Sequence, residues 1–135
     1  MGHGTVTLER LGPYRLLEEV GQGAMGTVYV AHDEEEDRRV ALKVLHPHLA
    51  AKRGFFKRFQ REALAGETVE HPNVVRTFDC GVYAHEGVGY CLLVMEYVKG
   101  RTLRDLLREW GSVPEALVRE IGCQVAEGLA AIHEA

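Results

Sequence analysis

The spacing at which apolar residues recur changes along this chain, and each change marks a new element. Tyr14, Leu16 and Val20 share one parity, as one face of a strand requires. Gly21 to Gly26 reads as a turn, and Thr27-Val28-Tyr29-Val30 is β-branched and aromatic, which predicts a second strand. The acidic run Asp33 to Asp37 reads as a solvated hairpin connection, and Val40 to Leu45 as a third strand. Between His46 and Pro72 the period lengthens. Phe55, Phe59, Glu62, Gly66 and Val69 follow one another at steps of four and three, which places them on one helix face that Pro72 ends. Val74 to Phe78 and Tyr90 to Met95 read as two more strands, joined by the glycine-containing segment 81–89. Thr102 to Trp110 reads as a helix. Pro114 to Ala135 reads as another, with Leu117, Ile121, Val125, Gly128 and Ile132 at helical spacing. The expected architecture is α+β: five strands interrupted by one helix, then two helices, behind a weakly patterned leader at residues 1–12.

Composition narrows the classes. With 46% hydrophobic and 27% charged residues, the 135-residue chain has the composition of one modest globular domain and not of a disordered segment. A formal net charge of −4 removes any electrostatic case for nucleic acid as the main partner. The longest apolar run, Tyr90 to Met95, is too short to cross a bilayer, and Met1 to Arg10 lacks the apolar stretch of a signal peptide. Met1-Gly2 opens an N-myristoylation motif, but Val6 stands where that motif needs Ser or Thr. A soluble, cytoplasmic chain without a membrane partner is the expectation. Cys80, Cys91 and Cys123 are scattered and form no Cys-x-x-Cys pair, so they read as small hydrophobes in a reducing compartment.

Candidate chemistry begins at Gly21-Gln22-Gly23-Ala24-Met25-Gly26-Thr27-Val28, which fits G-x-G-x-x-G-x-V. The dinucleotide fingerprint of this form needs a helix at its last glycine. Here a strand follows, so the segment reads as a hairpin flap whose glycines let it lie close over phosphates. An ordinary glycine-bearing hairpin also fits at this point. In Val40-Ala41-Leu42-Lys43, period two puts Ala41 and Lys43 on one face and Val40, Leu42 and Val44 on the other. A lysine in an apolar strand is costly unless its ammonium meets an anion or snorkels to water. The small Ala41 beside it leaves room for a flat ring. Glu62 lies on the helix stripe between Phe59 and Gly66, where a bare carboxylate is expensive. Lys43 is its natural partner, and a solvated position at the stripe's margin is the alternative.

Taken in order, the flap, the lysine strand and the helix glutamate resemble the signature set of protein kinases. Further phrases extend the likeness: His71-Pro72-Asn73-Val74-Val75, Leu93 to Gly100, Thr102 to Leu107, and Val125 to His133. The resemblance covers residues 14–135. The Gly23-Ala24-Met25-Gly26 flap and His46-Pro47-His48-Leu49 are similar to bacterial serine/threonine kinases of the eukaryotic type. It implies an N-lobe over 13–95, a hinge over 96–101 and the start of a truncated C-lobe over 102–135. It also implies ATP as cofactor, with γ-phosphoryl transfer to Ser or Thr of a protein substrate. On this likeness, Gly21, Gln22, Gly23, Ala24, Met25, Gly26 and Thr27 cover the phosphates, and Val20, Val28 and Ala41 sandwich the adenine. Lys43 binds the α- and β-phosphates and forms the catalytic pair with Glu62. Met95 walls off the back of the adenine pocket, the backbone of Glu96 and Val98 meets the adenine edge, and Asp105 lies near the ribose. A small-molecule phosphotransferase of the same fold, or a non-catalytic binding module, are the alternatives. The His-Pro-Asn and Met-Glu-Tyr-Val-x-Gly phrases favour the protein kinases.

Two departures from the family pattern stand out. Gly66, one turn after Glu62, and Thr77 in the fourth strand occupy positions where bulky apolar residues are common and which in the family belong to one packed column steadying the helix, so a loosely held Lys43–Glu62 pair is expected. Residues 1–135 also contain no His-Arg-Asp and no Asp-Phe-Gly. No metal ligand is therefore expected among them, Mg²⁺ belongs only to a complete domain, and the 135 residues alone are expected to be inactive. His46 and His48 flank Pro47 with no acid or cysteine at metal spacing, and read as loop residues.

Overall fold

The structure is a computed structural model and describes residues 8–134. The acylation reading at Met1-Gly2 and Val6 lies outside the described residues. The strands are β1 (Arg10–Leu11), β2 (Tyr14–Gln22), β3 (Gly26–Asp33), β4 (Arg38–Leu45), β5 (Thr77–His85) and β6 (Val88–Glu96). The helices are α1 (Pro47–Ala50), α2 (Arg53–Thr68), α3 (Leu103–Trp110) and α4 (Glu115–Glu134). The strands form one antiparallel sheet in the order β1-β2-β3-β4-β6-β5.

The alternation of β4 divides the sheet's two faces. Val40, Leu42 and Val44 are buried and join Leu11, Tyr14, Ala31, Leu92 and Val94 in the core of the far face. Ala41 pairs with Val30 and Met95, and Lys43 with Val28 and Leu93, so these residues share the near face. Part of that face is covered by α2, whose Phe59 and Ala63 pack on Leu45, Cys91 and Leu93. Phe59 is fully buried, a contribution of about 1.5–3 kcal/mol that holds α2 on the sheet. Val28, Ala41 and Lys43 remain half-buried on the uncovered part.

Several boundaries differ from the sequence reading. The sheet has six strands, not five, because part of the segment read as a leader pairs with β2. Gly12, at φ +57°, turns the chain so that Arg10 and Leu11 face Arg15 and Tyr14, and Leu8 and Leu11 seal the far-face core. A two-residue strand is too short to show alternation. The fourth long strand starts at Thr77, not Val74, and continues through most of the segment read as a connection. Glu86 and Gly87 both have positive φ and close a two-residue hairpin turn. In β2, bulges after Leu16 and Glu19 break the alternation, so Val20 leaves the buried face and is 53% exposed. Asp33 is buried rather than solvated, and its Oδ1 accepts from the N–H groups of Glu35 and Glu36 at 3.0 and 3.3 Å, which shapes the turn.

The buried stripe of α2 runs through Phe55, Phe56, Phe59 and Ala63, not through Glu62. Three residues on from Phe59, Glu62 stands about 60° away around the helix and faces solvent. A Cβ on Gly66 would stand 2.0 Å from Thr77 Oγ1 and 2.8 Å from its Cβ, so the missing side chain lets α2 approach β5 closely.

Beyond β6, Thr102 caps α3 by accepting from the Asp105 N–H at 3.0 Å. Helix α4 is fastened to the segment before β5. Asn73 Nδ2 donates to the Gln124 carbonyl at 3.1 Å and to Glu127 Oε2 at 3.3 Å. Gly128, the one buried residue of α4, would place a Cβ 2.9 Å from the Asn73 carbonyl oxygen. Val118, Val125, Leu129 and Ile132 on the same helix are exposed. No helix among the described residues is long and apolar enough to cross a membrane.

The Gly66–Thr77 contact sets the sign of a substitution that the family pattern would recommend. Gly66→Leu is expected to destabilise the chain by about 1–3 kcal/mol through overpacking. Adding Thr77→Gly should recover part of that loss. Thermal unfolding by circular dichroism checks both, and an unchanged or raised Tm for Gly66→Leu alone would show that the contact is slack.

Candidate functional site

Strands β2 and β3 extend into the glycine segment, where the Gly23 N–H donates to the Gly26 carbonyl at 2.9 Å and closes the turn. Beneath this flap lies a recess of about 480 Å³ lined by Gly21, Gln22, Gly23, Ala24, Met25, Gly26, Val28 and Lys43. Lys43 is the only charged residue in that lining. The recess is a concave, backbone-rich surface with one cation.

The three glycines of the flap have different reasons to be glycine. A Cβ on Gly26 would stand 2.1 Å from the Val44 carbonyl oxygen, so this position is needed for β3 to lie against β4. At Gly21 the nearest atom to an added Cβ is 4.0 Å away, at Gly23 it is 3.9 Å away, and neither residue has positive φ. Neither packing nor backbone conformation within the chain requires glycine at these two positions. What glycine leaves there is unobstructed backbone facing the recess.

Lys43 is half-buried, and no carboxylate among the described residues lies within ion-pair distance of it. The expected Lys43–Glu62 pair is not formed in this structure. Glu62, its side chain 47% exposed, has Arg58 as its partner, with Nε at 3.9 Å one helical turn back. The marginal position of Glu62 on α2 is the physical reason. Thr27 also differs from expectation. It pairs with Val44 on the far face and is buried there beside Tyr29, so only its backbone belongs to the flap.

The remaining sequence-derived candidates do not line the recess, and Glu96 and Val98 line a separate pocket with Asn73 and Val125. Ala41 and Met95 are direct cross-strand neighbours on the near face, and Met95 in turn faces Thr77. Val20 and Val98, 53% and 61% exposed, project from the end of β2 and from just beyond β6. The Glu96 N–H donates to the Arg76 carbonyl at 2.8 Å, and its Oε1 accepts from the Arg76 N–H at 3.1 Å. That leaves the carbonyl as the Glu96 backbone group for a ligand. Asp105 sits exposed in the first turn of α3, and its own carbonyl accepts from Arg101 Nη2 at 3.2 Å.

One contact was not legible in the sequence. His46, read as a loop residue, donates its backbone N–H to the Met25 carbonyl at 3.0 Å, and its ring Nε2 lies 3.2 Å from the Gly23 carbonyl oxygen. Only its place directly after the lysine strand could have pointed to it. The thiols of Cys80 and Cys91 are pushed up by burial, which makes them poor nucleophiles and fits their reading as small buried hydrophobes, whereas Cys123 is exposed and departs from it. Among the described residues no three His, Cys, Asp or Glu side chains cluster as a metal site would need.

Residues 14–135 match the family described as "Protein kinase domain". A serine/threonine-protein kinase of Corynebacterium efficiens, drp72, is 41% identical over 127 residues, which cover 93% of this chain and 24% of the relative. PknA of Corynebacterium glutamicum is 42% identical, with 89% and 26% covered, and pkn2 of Myxococcus xanthus 44%, with 91% and 14%. The chain thus spans about a quarter or less of these curated relatives. Among solved structures, the PknI kinase domain of Mycobacterium tuberculosis superposes with a TM-score of 0.76 at 29% identity, covering 93% of this chain and 50% of that one.

The differing roles of the flap glycines give a test by thermal unfolding. Gly26→Ala is expected to cost about 1–3 kcal/mol or more, because the Val44 carbonyl it meets is backbone and has little freedom to move. Gly21→Ala and Gly23→Ala should change stability by no more than about 0.5 kcal/mol. A comparable loss at all three positions would contradict the distinction.

Proposed function

The chain belongs to the protein kinase family, and from that premise we propose that residues 14–135 form the ATP-binding part of a serine/threonine protein kinase, transferring the γ-phosphoryl group of ATP to a protein Ser or Thr hydroxyl. The observation that carries this reading is the pair Gly21 and Gly23. Their missing side chains serve nothing within the chain and lie over a recess whose only charge is Lys43. The names of the similar proteins, all serine/threonine-protein kinases, support the substrate class.

In this reading the flap from Gly21 to Thr27 turns backbone N–H groups to the phosphates, and the Lys43 ammonium neutralises the α- and β-phosphate oxygens. A lysine held on a strand without a fixed carboxylate loses no ion pair when the polyphosphate arrives. Val20, Val28 and Ala41 take the adenine between them, and Met95 closes the back. The Glu96 carbonyl and the Val98 N–H meet its edge, with Asp105 toward the ribose. Glu62 becomes the partner of Lys43 only when α2 turns its outer margin toward β4 and releases Arg58. Mg²⁺, expected only with the complete domain, would offset the charge of the phosphates, and no residue of 1–135 is assigned to hold it. Residues 1–135 supply phosphate binding but no acceptor for the hydroxyl proton. ATP is a cytoplasmic metabolite, so the site works there. The net charge of −4 gives nucleic acid no electrostatic foothold.

Two measurements test the proposal. Lys43→Met should weaken ATP binding by roughly ten- to a hundredfold, the worth of charge-assisted hydrogen bonds, while adenosine binding and Tm stay as they were. Titration of the labelled chain by NMR reads the two affinities and thermal unfolding reads Tm, and unchanged ATP affinity would overturn the assignment. Residues 1–135 with labelled ATP, Mg²⁺ and a generic basic protein should show no phosphoryl transfer. Turnover that disappears with Lys43→Met would show that these residues suffice for catalysis.

A further inference from the structure

We propose that His46 is a positioning residue of the phosphate-binding flap, acting through the Gly23 carbonyl; this rests on the reading of the recess as a nucleotide site. His46 follows the last residue of β4 and precedes Pro47, the first residue of α1. Its backbone is fully committed. The N–H donates to the Met25 carbonyl at 3.0 Å, and the carbonyl accepts from the N–H groups of Leu49 and Ala50 at 2.9 and 3.0 Å. The ring is held as well, stacked on His48 with centroids 5.6 Å apart and planes 10° from parallel. From this anchored position Nε2 reaches the Gly23 carbonyl oxygen at 3.2 Å, where the ring donates.

The consequence follows from peptide geometry. A trans peptide directs its C=O and the next N–H to opposite sides. Holding the Gly23 carbonyl toward His46 therefore turns the Ala24 N–H away from His46. Ala24 lines the recess and His46 does not, so the N–H is aimed at the side where the phosphates would lie. Gly23 also donates its own N–H to Gly26, which fastens the preceding 22–23 peptide and leaves the 23–24 peptide held through its carbonyl alone. Glycine at 23 has no neighbouring atom within 3.9 Å of where its Cβ would be, so without His46 this peptide has little to stop it from rotating. His46 replaces the steric restraint that glycine gives up.

The test is an NMR titration of the isotopically labelled chain with ATP and, separately, with adenosine. His46→Leu should weaken ATP binding roughly five- to tenfold, the worth of one well-made hydrogen bond, and should shrink the ATP-induced shift of the Ala24 amide. Adenosine affinity and Tm should not change, which separates positioning from a structural role. His46→Gln, whose side-chain amide can donate to the same carbonyl, should restore ATP affinity to within about two- to threefold of the original. His48→Leu removes the stack but not the donor and should fall between the two. If the unsubstituted chain binds adenosine but ATP no more tightly, the phosphate-site reading fails and this inference with it. If ATP binds and His46→Leu binds it equally well, or His46→Gln is as weak as His46→Leu, the inference alone is overturned.

Discussion

The alternation of β4 is the constraint on which the rest of the molecule depends. Val40, Leu42 and Val44 are buried in the far-face core. Burial of three such side chains, each contributing about 1.5–3 kcal/mol, fixes which way the strand faces. Ala41 and Lys43 are then committed to the near face, whatever they cost there. A slip of one residue would place Lys43 in the core and three aliphatic side chains over the recess, so the register is strongly specified. The lysine is held in place by its neighbours' hydrophobicity, not by a partner of its own.

Around this strand, missing Cβ atoms set how closely the elements approach. Gly26 brings β3 against the Val44 carbonyl, Gly66 brings α2 against Thr77, and Gly128 brings α4 against the Asn73 carbonyl. Each contact places a bulkless residue where a side chain would hold two elements apart. Together they position the flap against β4, α2 against β5, and α4 against the segment before β5. The Asn73 side chain adds hydrogen bonds to the last of these contacts, so α4 is tied to the sheet independently of the segment joining β6 to α3. Gly21 and Gly23 stand apart from this pattern, because nothing in the chain occupies the space they leave.

The orientation of α2 separates two side chains, Lys43 and Glu62, that the family pattern pairs. Phe55, Phe56, Phe59 and Ala63 dictate which side of the helix is buried, and that choice carries Glu62 to the solvent margin beside Arg58. The hydrophobic contribution of Phe59 alone exceeds what an exposed ion pair supplies, which is about 1 kcal/mol or less. Packing therefore decides the orientation of the helix, and the pairing of Glu62 follows from it. The position of Lys43 and that of Glu62 are thus set by separate cores, one on each face of the sheet.

Much of this was legible in the residues themselves. Short-range periodicity is a local property, so the faces of β4, a helix between His46 and Pro72 and the strand following the glycine segment followed from spacing alone. The glycine flap and the lysine strand were identifiable for the same reason: their chemistry is confined to a few consecutive positions. The tertiary structure decided what depends on residues far apart in the chain. It recruited Leu8 and Leu11 into the core, inserted bulges into β2 that expose Val20, and lengthened β5 through a Glu86-Gly87 turn. It also chose Ala63 over Glu62 for the buried stripe, since two candidate faces about 100° apart differ only in what they meet. Gly128 against Asn73 and His46 against Gly23 were invisible in the sequence. Each is a contact between two segments, and a sequence states which residues are small or polar without stating what they will touch.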